Sequence, residues 1–148
     1  MWYSKILVAY DGSAESQKAI QIACEMAEAN PAASLLFVHV LKLGESAFGG
    51  SDVENALVAH AERVTALLQE KADTLPNQTE VRLLKGSSPA DLIVRCSADE
   101  HCDLIVMGSR GMSGFKGYLG SVSHAVLHEA HICVLIARTD AERNKARA

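Results

Sequence analysis

The sequence predicts a doubly wound α/β domain, a five-stranded parallel sheet with helices on both faces, and three observations carry that prediction. Short apolar runs rich in strand formers recur along the chain: KILVAY (Lys5–Tyr10), SLLFVHVL (Ser34–Leu41), Val81–Leu84, DLIVM (Asp103–Met107) and ICVLIA (Ile132–Ala137). Stretches with apolar residues at helical spacing separate them. The runs are nearly continuous rather than alternating, as expected of strands covered on both sides.

Each element has its own local warrant. The first strand closes on Asp11-Gly12, and Ser13 opens a helix that runs to about Asn30 before Pro31 stops it. After the second strand, residues 42–50 read as a loop ending in Gly49-Gly50. Ser51 and Glu54 have capping-box spacing, and Val53, Ala56, Leu57, Ala61, Val64, Leu67 and Leu68 continue a helical stripe to about Thr74. Ser88-Pro89-Ala90-Asp91 starts the next helix, with proline at its first position. A short helix over Ser121–His128 precedes the last strand.

Totals exclude several function classes. The 148 residues suit one domain, placed at 1–138 with a polar tail over 139–148. A net charge of −4 argues against a general nucleic-acid surface, which needs a basic stripe. Arg138, Arg143, Lys145 and Arg147 are diluted by Asp140 and Glu142 and read as a solvated tail. No apolar run is long enough to span a bilayer, and the run Ile6–Ala9 is cut short by Asp11, unlike a secretory signal. Cys24, Cys96, Cys102 and Cys133 show no CxxC pair, so reduced thiols in the cytoplasm are expected.

The segment GSRGMSGFKGYLGS (Gly108–Ser121) holds five of the ten glycines, at every third position. It leaves the carboxyl end of a strand and feeds a helix, the place where open α/β sheets bind ligands. The other helices carry an acid in their opening turn: Glu15, Asp52 and Glu54, and Asp91. The last opens Ser121-Val122-Ser123-His124 and has none until Glu129, while Arg110 and Lys116 lie in the loop before it. A helix start without its own carboxylate suits an anion such as phosphate. On the residues alone, a plain surface loop stands beside that reading, since neither GxxxxGK[ST] nor GxGxxG is present.

Other polar residues carry paired readings. Asp11 either caps the first helix or contacts a ligand. His124, His128 and His131 share one region but lack carboxylate or cysteine partners at ligand spacing, so no metal site is assigned. His39, inside an apolar run, reads as a satisfied core histidine, and most of the cysteines read as small buried hydrophobes.

ILVAYDGS, DLIVMGSRG, a Gly-Ser helix start and the closing CVLIA together resemble the universal stress protein family over Lys5–Ala137. Its ATP-binding members carry G-2x-G-9x-G(S/T), matched here by Gly108, Gly111, Gly120 and Ser121, with eight residues rather than nine between Gly111 and Gly120. The loop Gly86–Ala90 is also one residue longer than the family's short form. The resemblance implies strand order 3-2-1-4-5 and a site at the reversal between the first and fourth strands. In it Asp11 hydrogen-bonds adenine and Val40 offers backbone and apolar surface. Ala9, Met107 and Gly108 flank adenine and ribose, with Tyr10 beside them. Arg110 and Gly111 begin the phosphate loop, and Gly120, Ser121, Val122 and Ser123 bind phosphate. It further implies a homodimer through Ile132–Ala137.

The expected function is a cytoplasmic stress-response module that binds ATP, or ADP or AMP, with Mg²⁺ or Mn²⁺. Phosphoryl transfer needs a group to orient the nucleophile, and the loop offers no acid near the terminal phosphate, which argues against fast hydrolysis. A slow ATPase, an enzyme that phosphorylates itself at Ser121 or Ser123, and a nucleotide-free dimerisation module are the alternatives.

Overall fold

In the computed structural model, residues 1–44, 51–110 and 119–140 are described. The chain alternates β1 (Lys5–Ala9), α1 (Ala14–Ala29), β2 (Ser34–Lys42), α2 (Ser51–Asp73), β3 (Thr79–Gly86), α3 (Pro89–Asp99), β4 (Leu104–Gly108), α4 (Ser121–Glu129) and β5 (Cys133–Ala137). All strand pairs are parallel, in the order β3-β2-β1-β4-β5. The fold class and strand order are those expected. Gly111, Lys116, the Gly49-Gly50 turn and the tail beyond residue 140 lie outside the described residues, as does the Ser51 side chain of the expected capping box.

Side-chain alternation along each strand splits the interior into two layers. Ile6 and Val8, Leu35 and Phe37, and Leu104 and Val106 face α1 and α2. Leu7, Leu36 and Val38, with Ile105 and Met107, face Ile93 and Cys96 of α3 and Val126 of α4. The central strands are therefore apolar on both sides, which is why their sequences read as unbroken runs. Alanines at 19, 23 and 27 line the inner face of α1 and let that helix lie close to the sheet.

Two elements differ from expectation at the sheet edges. β3 extends over eight residues instead of four, pairing with β2 from Thr79 to Gly86. Its half-exposed edge position tolerates Thr79, Glu80, Arg82 and Lys85, which hide the strand from an apolar pattern. At the other edge Cys133 is exposed, as the first residue of β5, whereas Cys96 and Cys102 are buried. Desolvation pushes the Cys102 thiol up to about 11, so it stays protonated.

Candidate functional site

A cavity of about 230 Å³ opens at the carboxyl ends of β1 and β4. The strand order turns back between these two strands, leaving a crevice that no crossover fills. Its walls are Ala9 of β1 with Tyr10 and Asp11 just after it, Val38 and Val40 from β2, and Met107 and Gly108 of β4 with Arg110 just after it. Gly120, Ser121, Val122 and Ser123 close one end. Every site residue expected from sequence that lies among the described residues thus lines one cavity.

The β1 wall ends in a turn built by its own residues. Ser13 N–H donates to Asp11 Oδ1 at 2.9 Å, and Gly12 takes φ +88°, a conformation that favours glycine. Ser13 Oγ then caps α1, accepting from Ser16 N–H at 3.1 Å. Asp11 therefore makes the local turn as well as facing the cavity. Burial, and then the neighbouring Asp11 charge, raise the pKa of Tyr10, keeping the phenol neutral.

On the β4 side, Gly108 lets α1 and the sheet meet. A Cβ there would stand 2.6 Å from Glu15 Cβ, 2.8 Å from Glu15 C and 2.9 Å from Ser16 N. Two of these contacts are backbone, so they cannot turn aside. Just beyond, the Arg110 guanidinium pairs with Glu15 Oε1 at 3.5 Å, and both side chains are largely covered. The acid in the first turn of α1 thus sits beside the cation expected to face phosphate.

The far end of the cavity is the start of α4. Gly120 is its N-cap, no acid stands in its first turn, and Gly120 N–H donates to Ser109 O at 2.8 Å. The first amides of a helix have no intrahelical acceptor, and the helix dipole is positive there. Ser121 is exposed. Ser123 is only 2% exposed, and its Oγ lies 2.9 Å from Ser109 O and 3.0 Å from Gly120 O. Its single proton goes to backbone carbonyls, leaving its N–H as the donor it can present. Among the described residues, no three His, Cys, Asp or Glu side chains gather closely enough to hold a metal ion.

Residues 3–138 match the sequence profile of the Universal stress protein family. The chain belongs to that family. A universal stress protein from Thermus aquaticus, encoded 3′ of a QAH/OAS sulfhydrylase, is 35% identical over 137 residues, covering 92% of this chain and 99% of the relative. The solved structure of hypothetical protein MJ0577 superposes with a TM-score of 0.83 at 25% identity, covering 95% of this chain and 99% of that one. A universal stress protein solved in complex with cAMP superposes with a TM-score of 0.71 at 26% identity, covering 95% and 100%.

Four lining residues of this universal stress protein were not singled out from sequence: Ser16, Val38, Pro89 and Ile93. Ser16 had a readable signal, being a polar residue on the otherwise apolar face of Ala19, Ile20, Ala23 and Ala27. Val38 shares a face with Val40 by the two-residue period of a strand. Pro89 and Ile93 reach the cavity only because α3 crosses above β2, which is a matter of topology.

Proposed function

We propose that this universal stress protein is a regulatory module that binds an adenine nucleotide in the cavity between β1 and β4. The observation that carries the reading is the pairing of an apolar slot with an acid-free helix start in one cavity. Val38, Val40, Ile93 and Met107 offer surface for a flat base, Asp11 offers a carboxylate to its amino edge, and α4 offers amides to a phosphate. The cAMP complex of a relative supports an adenine nucleotide as the ligand class. ATP, ADP and AMP share the groups this site would recognise. Mg²⁺ or Mn²⁺ would be held mainly by the phosphates, and where bound it would neutralise their charge.

The protein then acts by occupancy in the cytoplasm, as a homodimer paired through Ile132–Ala137. In support, β5 is an edge strand whose Val134, Leu135 and Ile136 are half-buried and apolar, a surface that a second copy would cover. Denaturing the purified protein and analysing the supernatant by absorbance and chromatography tests the reading, together with calorimetric titration of ATP, ADP and AMP. An adenine nucleotide in the supernatant, or saturable heat with any of the three, is expected. The absence of both removes the proposal. Turnover of many ATP molecules per second would replace the binding module by an enzyme.

A further inference from the structure

The peptide joining Tyr10 to Asp11 is held at both of its polar ends by side chains from different elements. Its carbonyl, Tyr10 O, lies 2.8 Å from Nδ1 of His39 on β2, a side chain only 7% exposed. Its N–H, on Asp11, donates to Oγ of Ser16 on α1 at 3.3 Å, and Ser16 is 3% exposed. The donor bookkeeping is complete. A carbonyl only accepts, so His39 carries its proton on Nδ1. Ser16 Oγ gives its own proton to Ser13 O at 2.9 Å, which leaves a lone pair for Asp11 N–H.

His39 bonds to Tyr10 where the β1–β2 ladder ends. Tyr10 N–H donates to Val38 O at 2.9 Å, as a parallel ladder requires. The next bond of that ladder would run from Val40 N–H to Tyr10 O. Among the described residues that bond is not made, the carbonyl instead accepts from the imidazole, and Val40 lines the cavity.

We propose that His39 and Ser16 are positioning residues: together they fix the Tyr10–Asp11 peptide plane, and so aim Asp11 and leave the Val40 amide for the ligand. Base recognition by Asp11 rests on the nucleotide reading above; the fixed peptide plane does not. Neither residue need touch the ligand through its hydrogen-bonding atoms. Selectivity for adenine follows from the clamp, since a carboxylate beside a free backbone N–H complements an amino group next to a ring nitrogen. Guanine presents a carbonyl and a ring N–H on that edge, the reverse pattern.

The test uses the full chain with AMP and GMP as probes. Nitrogen-detected NMR of the wild type should find the His39 ring protonated on Nδ1, and the Asp11 amide should exchange slowly. His39→Leu, confirmed folded by a cooperative melt, should lose AMP affinity by about tenfold or more and lose the preference over GMP. His39→Asn restores a donor near the Nδ1 position and should recover most of both. Ser16→Ala covers the case in which His39→Leu fails to fold, and should speed Asp11 exchange by about tenfold. An Nε2-protonated ring, unchanged Asp11 exchange in Ser16→Ala, or undiminished AMP preference in folded His39→Leu would each overturn the proposal. Should the wild type bind neither nucleotide, the ligand reading and base selectivity fall together, while the ring tautomer and the exchange rate still decide whether the peptide is clamped.

Discussion

Ser123 Oγ donates its proton back to the Ser109 carbonyl at 2.9 Å, so the start of α4 is tied to the end of β4 through a buried hydroxyl. Ser121, two residues earlier, presents an exposed hydroxyl at the same helix start. The two serines therefore differ in role: one holds the helix start in place, and the other lines the cavity.

That division predicts opposite outcomes for two alanine variants. Ser123→Ala should lower stability by about 1 kcal/mol, because it removes the buried hydroxyl bond to Ser109 O, a carbonyl that keeps only its bond from Gly120 N–H among the described residues. Ser121→Ala should leave the melting temperature unchanged and weaken AMP binding by several-fold, through one lost charge-assisted hydrogen bond. Thermal melts and titrations on both variants separate the roles. Equal melting temperatures would show that the Ser123 bond contributes nothing.

Gly108→Ala probes the contact between α1 and β4. The added methyl would meet Glu15 and Ser16 backbone atoms at 2.8 and 2.9 Å, so α1 or the strand must shift. Overpacking of this kind costs about 1–3 kcal/mol. Because the same shift moves Asp11 and Arg110, nucleotide binding should be lost along with the stability. A variant as stable as the wild type in urea would mean that the helix can retreat freely.

Most of the fold was legible because its signals are local. Leu104–Met107 is buried on both faces and reads as an unbroken apolar run, while Ser13, Pro31 and Pro89 mark helix ends through backbone chemistry alone. The glycine spacing and the missing acid at Ser121 drew attention to the end of the sheet where the cavity opens. Strand β3 was underestimated because an edge strand need not be apolar, and its Arg82 is held by Glu80 and Glu100 rather than by a core. The pairing of Arg110 with Glu15 was illegible, since 95 residues separate them and only the approach of α1 to β4 makes them neighbours. His39 reads as an ordinary core residue for the same reason: its partner, Tyr10 O, lies 29 residues away, just after β1.

At the end of the sheet opposite the cavity, the Asn77 side chain joins three elements. Its Nδ2 donates to Ala33 O at 2.8 Å and Ala27 O at 3.1 Å, bridging the end of α1 and the start of β2 from the approach to β3. Asn77→Ala leaves those carbonyls without this donor, at a cost of about 2 kcal/mol. The melting temperature should fall by about 4–8 °C, with nucleotide affinity intact because the cavity is at the other end. Loss of binding in folded protein would contradict the assigned location.

The same end of the molecule should set the acid limit of stability. Asp103 Oδ2 accepts from Ser4 Oγ at 2.7 Å, Ser4 N–H at 2.5 Å and Lys5 N–H at 2.9 Å, and these bonds hold its pKa below the ordinary carboxylate value. Glu100 is lowered as well, first by Arg82 and then by Lys5. A carboxyl group with a depressed folded pKa contributes stability above its unfolded value, near pH 4, and that contribution fades as pH falls through the folded value. Urea midpoints should therefore be level from pH 7 to about 5 and drop below about 4. Asp103→Asn should start from a lower midpoint at pH 7 and show a shallower fall towards pH 3, since one of these two carboxylates with a lowered pKa is gone. Wild type and variant falling in parallel would mean that Asp103 has the same pKa in the folded and unfolded chain, and that its bonds to Ser4 and Lys5 contribute nothing specific to the charged form.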